Sequence, residues 1–532
     1  MVPNLGEIAR AEYKELFTLA VTRGTREPLV LPFCILGPFI LPPLYLAVPH
    51  RNRPWLYHAR WLVIAFVVTF NLYIILRMSS FNVGPAYGAG LIGSWGVLLN
   101  LNLLVWTNPQ TDYARIIRVP KKLNGTAENH AIEPSSKTQE NRVRHRKPHA
   151  SANAPLGDVG SRAKRDDLED TVCVWQRFPE NGSLGQRLNW TFDLMTNFRE
   201  IGWNCSISSV PRPSIPDSLG DGDLVSFDNM PAMSRSGYYR HLTEKEFLWT
   251  RVRNVLLLAV VLDFGSVIMV KDPYCVYGPG HNLELPIHLQ QLHPRLLRLY
   301  RELASLLGIY AAIDAMFTLH DLFQYYVFSY FYPMRGELWQ YSNIFGPISQ
   351  VLDRGLAGWW GAFWHQTFRL QFVAPAKFLV NNGYLEKKTL LAQIVTLYIS
   401  FIQSGILHGA GSVSSMRTTK PWRAPVFFSL QPPGIIAQLF LLQALDKYFP
   451  DTPKKLRQIF NLLFTLSWLH LTAPFFTDDV ASTGLWVLEP VPVSLLRWLG
   501  FGHPDDHWWR WNRDMLPAWH SDEYWWKSGL KL

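Results

Sequence analysis

Charge is scarce in this chain. Of its 532 residues only 17% are Asp, Glu, Lys or Arg, where a soluble globular protein carries about a quarter. Cysteine is scarcer: Cys34, Cys173, Cys205 and Cys275 are widely scattered, which excludes a disulfide framework and fits no zinc-ligand spacing. No metal site is therefore expected. The sequence contains no GxxxxGK[ST] phosphate loop, no HExxH and no GxSxG, so nothing in it points to P-loop, zincin or α/β-hydrolase chemistry. An inverted internal repeat of the kind many transporters carry is also missing. No cleavable signal peptide is evident. Glu7 to Val21 reads as an amphipathic helix, and the first long apolar stretch, from near Leu29, is expected to stay in the membrane and act as an internal targeting signal.

Apolar and aromatic residues are what the chain has. It is 48% hydrophobic and 14% aromatic, with 22 tryptophans, a residue suited to the membrane–water interface. Runs near bilayer-crossing length fall at roughly 30–48, 61–76, 88–106, 254–270, 304–332, 390–409, 426–445 and 458–477. A weaker candidate at roughly 484–501 is broken by Pro490 and Pro492. The fold class expected is all-α, a multi-pass membrane protein with about 8–9 transmembrane helices. Residues 1–106 form an N-terminal amphipathic helix and three spans, and residues 107–250 a long polar loop. Residues 251–502 form the membrane-embedded core and 503–532 a Trp-rich tail. Within the loop, about 121–167 is too polar and too poor in aromatics to offset its ordering entropy, and is expected to be disordered. A folded or membrane-associated piece resumes from Val172, where Trp175, Phe178, Trp190 and Trp203 appear.

The net charge of +10 does not indicate nucleic acid, because the basic residues cluster in loops beside apolar segments, as the positive-inside rule requires. Arg51, Arg53 and Arg60 place the first connection in the cytosol, and with it the long loop and the connection holding Lys447, Lys454, Lys455 and Arg457. Four N-x-Ser/Thr sequons, at Asn124, Asn181, Asn189 and Asn204, then face the cytosol and are expected to be unmodified.

Two histidines stand in stretches otherwise built for lipid. His365 lies among Trp359, Trp360, Trp364 and Phe368, and His408 near the end of the run that starts at Leu397. An ionisable group at membrane depth is costly and lines a cavity by default, and histidine has the pKa for general-base chemistry. The plain alternative for either residue alone is a satisfied core histidine. Around His408, Gly405, Gly409, Gly411, Ser404 and Ser412 let helices approach closely and leave room for a substrate. Around His365, Trp364 contributes an aromatic wall and Gln366 an amide. The segment about 336–370 is too polar at its edges to span and reads as an interfacial or re-entrant helix. Asp314 and Asp321, two helical turns apart, share a face. These and Asp263 are either packing polars or groups that orient a histidine or bind a cofactor.

The run Trp-Gly-x-Phe-Trp-His365-Gln-x-Phe-Arg369, followed about forty residues later by Phe401-Ile-Gln-Ser-Gly-Ile-Leu-His408, resembles the wax synthase-like branch of the membrane-bound O-acyltransferases. More specifically it is similar to fungal acetyltransferases of terpenoid and meroterpenoid pathways. Arg199-Glu-Ile-Gly202-Trp203-Asn204 resembles that family's Arg-Gly-x-Gly-Trp-Asn element, with Glu200 in place of Gly and, in the later motif, Ala362 in place of a basic residue. The resemblance covers roughly residues 190–480. It implies acetyl transfer from acetyl-CoA, a co-substrate with no permanently bound cofactor, to the hydroxyl of a lipophilic alcohol at the endoplasmic reticulum membrane. His408 is the candidate base, with His365 orienting the donor or stabilising the oxyanion, with or without Gln366. Trp364, Gln366, Arg369, Ser404 and Asp314 are the candidate substrate-binding residues. Arg354, Arg369, Lys377, Lys387 and Lys388 make up a basic, cytosolic entrance suited to coenzyme A. Rival readings are a long-chain wax ester or sterol acyltransferase, a transporter of a lipophilic metabolite, and a non-catalytic membrane scaffold. The oligomeric state is not written in the sequence.

Overall fold

The computed structural model describes residues 4–121 and 171–532, so the stretch expected to be disordered, about 121–167, lies, Lys121 apart, outside the described residues. Among the described residues seven helices are long and apolar enough to cross a membrane: Pro54–Arg77, Val83–Trp106, Glu244–Met269, Pro294–Tyr330, Leu390–Ser414, Arg423–Tyr448 and Lys454–Thr483. The protein is thus a mostly helical, multi-pass membrane protein, with seven such helices where the sequence suggests eight or nine. Two of the apolar runs form no helix of that length, and both contain prolines. The first apolar run yields only the short helix Phe33–Leu46, which passes from a 3-10 turn through a π turn to an α-helix. Pro38, Pro42 and Pro43 in it lack the N–H that a continuous helix needs. At 1.5 Å per residue it reaches roughly 20 Å, less than the ~30 Å hydrocarbon core, yet it still carries the chain from one end, where Glu27 pairs with Met78, to the other, where His50 N–H bonds Gln110. The last candidate, broken by its prolines, forms only the turns Leu485–Val487 and Leu495–Trp498.

Alternation of the spans gives the molecule two ends. At one end the strands Ala114–Pro120 and Thr171–Arg177 pair antiparallel with Ile116 opposite Trp175. Their inner faces join Ile201, Tyr238 and Trp339 in a buried cluster. The helix Leu184–Met195 follows, its start closed by a reciprocal Ser183–Gln186 capping box. This end is pinned to the segment after Pro294–Tyr330: Arg335 binds Asp193 at 2.6 Å and Arg118 binds Glu337 at 2.5 Å. The described part of 107–250 is therefore a folded cap. At the other end lie the N-terminal helix Leu5–Thr22 and the C-terminal tail. Buried Glu489 there accepts salt bridges from Arg10 at 3.0 Å, Arg497 at 3.0 Å and Arg510 at 2.9 Å, which joins the two termini.

The helix Leu390–Ser414 occupies the centre and packs closely on Val83–Leu101. A Cβ on Gly90 would meet the Ala410 carbonyl oxygen at 1.9 Å, so only glycine permits this approach. Between the spans a hairpin enters and leaves without crossing. The helix Ser349–Gly358 descends, a π turn Trp359–Phe363 reverses the chain, and Arg369–Asn381 returns. The descending helix breaks at Gly355, whose φ of 58° and ψ of −137° lie outside helical space. In a regular helix the Leu356 N–H would donate to the Leu352 carbonyl. Here two amides from neighbouring spans are inserted between them. Leu356 N–H donates to Gln438 Oε1 at 2.8 Å, Gln438 Nε2 to Asn461 Oδ1 at 3.0 Å, and Asn461 Nδ2 to the Leu352 oxygen at 2.9 Å. Helix breaks at membrane depth are tolerated only where protein satisfies the freed groups in this way.

Candidate active site

The central helix carries His408 in its last third, and the re-entrant hairpin delivers His365 just after its π turn. The His408 ring stacks on Phe428 at 5.2 Å between centroids and 7° between planes, and meets Phe476 edge-on at 5.2 Å. The His365 ring stands edge-on to Phe345 at 6.1 Å and to Phe368 at 5.8 Å, with Trp364 at 5.8 Å. Trp95, 4.5 Å from Phe368, extends the wall to the helix Val83–Leu101. One aromatic network joins the two imidazoles: Phe428, stacked on His408, meets Trp360 at 5.8 Å, and Trp360 meets Trp364, the neighbour of His365, at 6.1 Å. Both side chains are half-buried among aromatic rings. Nδ1 of each ring is enclosed and has no hydrogen-bond partner. The edge left accessible is therefore the one bearing Nε2, and among the described residues no carboxylate orients either ring in the manner of a Ser-His-Asp triad.

The other residues singled out in the sequence divide into two groups. Trp364 and Ser404 lie beside the two histidines, and Asp314 lines a cavity. Trp364 packs against the His365 ring, and Ser404 is one helical turn before His408 on the same face. Asp314 lines a cavity of about 550 Å³ with Arg235, Arg251, Asn254 and Phe345. Phe345 also touches His365, so this ring stands between the cavity and the imidazole. Gln366 and Arg369 are engaged within the hairpin itself. Both N–H groups of Gln366 are taken, donating to the Trp360 oxygen at 2.9 Å and the Trp364 oxygen at 2.6 Å, which leaves none for an oxyanion. Arg369 Nη1 donates to the Gly361 oxygen at 2.9 Å and to Gln366 Oε1 at 2.8 Å.

The upstream element acts as a bracket. Buried Arg199 donates to Ser342 Oγ and to the Asn343 oxygen, both at 3.0 Å, and so holds the segment leading into the hairpin. Asn204 Oδ1 accepts from Ala114 N–H at 3.0 Å, and its Nδ2 donates to the Asp112 oxygen at 2.8 Å. Glu200, where the resemblance calls for Gly, has φ 47°, the left-handed region that glycine occupies without strain. Its Oε1 accepts from Gln371 Nε2 at 2.8 Å, tying the bracket to the returning helix of the hairpin. Ala362, the other departure, is fully buried, with its carbonyl held by Tyr238. Tyr238, Gln371, Gln438 and Asn461 escaped the sequence reading because each acts through a partner distant in sequence.

Residues 341–430, which contain the whole hairpin and both histidines, match the Membrane bound O-acyl transferase family. Acetyltransferase eriL of Hericium erinaceus is 22% identical over 347 residues, covering 62% of this chain and 76% of that relative. Acetyltransferase atnC of an Arthrinium species is 25% identical over 154 residues, 27% of this chain and 34% of its own length. O-Mevalon transferase yanI of Aspergillus niger is 24% identical over 243 residues, 43% and 46% of the two chains. No solved structure matches the chain. A matched segment that supplies both histidines, set in a multi-helix membrane fold, makes the chain similar to the membrane bound O-acyl transferase family and, with these similar transferases, supports an acyltransferase enzyme.

Proposed function

We propose that the protein transfers an acetyl group from acetyl-CoA to a hydroxyl of a lipophilic secondary metabolite of terpenoid or meroterpenoid type, at the endoplasmic reticulum membrane. The observation that carries this reading is the juxtaposition of His408 and His365 in one aromatic-walled interior. An alcohol is a weak nucleophile at neutral pH. His408 Nε2 takes the hydroxyl proton as the alcohol oxygen attacks the thioester carbon. The tetrahedral intermediate then collapses, the C–S bond breaks, and the departing thiolate of coenzyme A recovers the proton from the imidazolium. His365, on the facing element, polarises the thioester oxygen from its Nε2 edge. A preorganised donor of this kind is worth about 3–4 kcal/mol where one has been removed from other enzymes. The aromatic wall keeps water from the thioester.

The donor enters from the end carrying the strand hairpin, through the cavity that Arg235, Asp314 and Phe345 line. The alcohol enters from the bilayer. The names of the similar acetyltransferases support acetyl as the group moved. The test offers membranes containing the protein labelled acetyl-CoA or a long-chain acyl-CoA, each with a panel of polycyclic terpenoid alcohols. Label should move from acetyl-CoA to an alcohol. Preferential transfer of the long chain would replace this reading with that of a wax ester or sterol acyltransferase.

A further inference from the structure

A π turn bonds residue i+5 to residue i, and so leaves its later carbonyls without partners along the chain. In the turn that presents His365, only the Trp359 oxygen is satisfied internally, by Trp364 N–H at 2.7 Å. Each of the next five carbonyls is reached from outside. The Trp360 and Trp364 oxygens accept from Gln366 Nε2 at 2.9 and 2.6 Å, and the Gly361 oxygen from Arg369 at 2.9 Å. The Ala362 oxygen accepts from the Tyr238 hydroxyl at 2.9 Å, and the Phe363 oxygen from Gly346 N–H at 2.8 Å. Arg369 also fixes Gln366 through its Oε1. The turn is therefore gripped on every peptide by a closed set of donors. Three of these donors, Gln366, Arg369 and Gly346, lie within the matched segment. The remaining one does not. Tyr238 comes from the cap, is fully buried, and reaches across 124 residues of chain to the turn.

We infer that Tyr238, with Arg369 and Gln366, is a positioning residue for acyl transfer, holding the His365 turn at the height that faces His408. This rests on His365 belonging to the reacting pair. The turn lies where water is scarce, so losing one donor leaves a carbonyl seeking a new partner, and the turn shifts with it. The phenol ring of Tyr238 also packs in the cluster under the strand hairpin with Ile116, Trp175 and Trp339. The hydroxyl thus couples the folding of the cap to the placement of the imidazole. It also assigns Arg369 a place in the structure of the turn, and takes it out of the basic entrance to which the sequence pattern had assigned it.

Tyr238→Phe removes the hydroxyl and keeps the ring. It should lower kcat about tenfold to hundredfold, the scale expected of a displacement of about 1 Å. The KM for acetyl-CoA and for the alcohol should stay within twofold. Hydrogen exchange of a peptide covering 359–368 should quicken while the spans keep their protection. Arg369→Ala should give the same split and serves if Tyr238→Phe does not accumulate. A wild-type kcat and unchanged exchange in Tyr238→Phe overturn the inference, as does an Arg369→Ala protein whose main defect is a raised KM for acetyl-CoA. His408→Ala, assayed alongside, separates the two readings. If it remains active the proposed chemistry fails, whatever Tyr238 does.

Discussion

Glu200 shows how much a single side chain can depart from a motif and still be accommodated. Its backbone sits in the left-handed region, at a cost of roughly 1–2 kcal/mol for a residue with a Cβ. Its carboxyl is buried, and burial pushes the pKa well above the ordinary 4.5, although Gln371 and Lys377 pull the other way. Oε2 and the Gln371 Oε1 are both enclosed without partners, a pairing that a neutral acid relieves and a carboxylate aggravates. The sign of the pH effect follows. With the folded pKa raised, the folded state holds a proton that the unfolded state has lost, so wild-type stability falls as pH rises above about 4.5 toward the folded value. Glu200→Gln, which imitates the neutral acid, should raise the thermal midpoint in detergent, and more at pH 8 than at pH 5. A gain independent of pH would mean that Glu200 is not held neutral. The sequence exposes Glu200 only as a departure from a pattern. Its partner Gln371, 171 residues away, has no local signal, because a long-range amide bond leaves no periodicity behind. The two histidines were legible for the opposite reason: an ionisable ring in an apolar run is conspicuous on its own.

Elements behave similarly. The long spans were readable from hydropathy, and the re-entrant character of 336–370 from its polar edges. The irregular course of the first helix was not, because composition registers proline as mildly polar while its missing N–H interrupts regular α-helical bonding. The break at Gly355 was also hidden, since its repair depends on Gln438 and Asn461 from two other spans. Gln438→Leu should test that repair. It removes both links of the amide chain, leaving the Leu356 N–H and Asn461 Oδ1 buried without partners at about 1–3 kcal/mol each. The expected outcome is a lower thermal midpoint together with reduced turnover, as the descending helix positions the His365 turn. An unchanged midpoint would show that the break is stable without the amides.

For the whole molecule, the two ends must face opposite sides of the membrane. From the loop charges we propose that the strand hairpin faces the cytosol. The amides of Asn189 and Asn204 are occupied by Arg115, Phe331, Ala114 and Asp112, so a glycan there would break the fold on either side, and Asn181 is the sequon that reports orientation. Protease protection in sealed microsomes should leave the loop at Lys387 and Lys388 cleavable from outside, with no glycosidase-sensitive shift. A shift abolished by replacing Asn181 would invert the orientation. The order of the spans, their two-ended arrangement and the re-entrant turn together set both imidazoles in one aromatic network, His408 from a spanning helix and His365 from the turn, and the proposed chemistry depends on that arrangement. The most direct test is single-turnover acetyl transfer by purified His408→Ala protein, using labelled acetyl-CoA and an alcohol that the wild type accepts. The account predicts that transfer is abolished while the protein inserts, accumulates and unfolds at the wild-type temperature. Near wild-type turnover by that variant would contradict it.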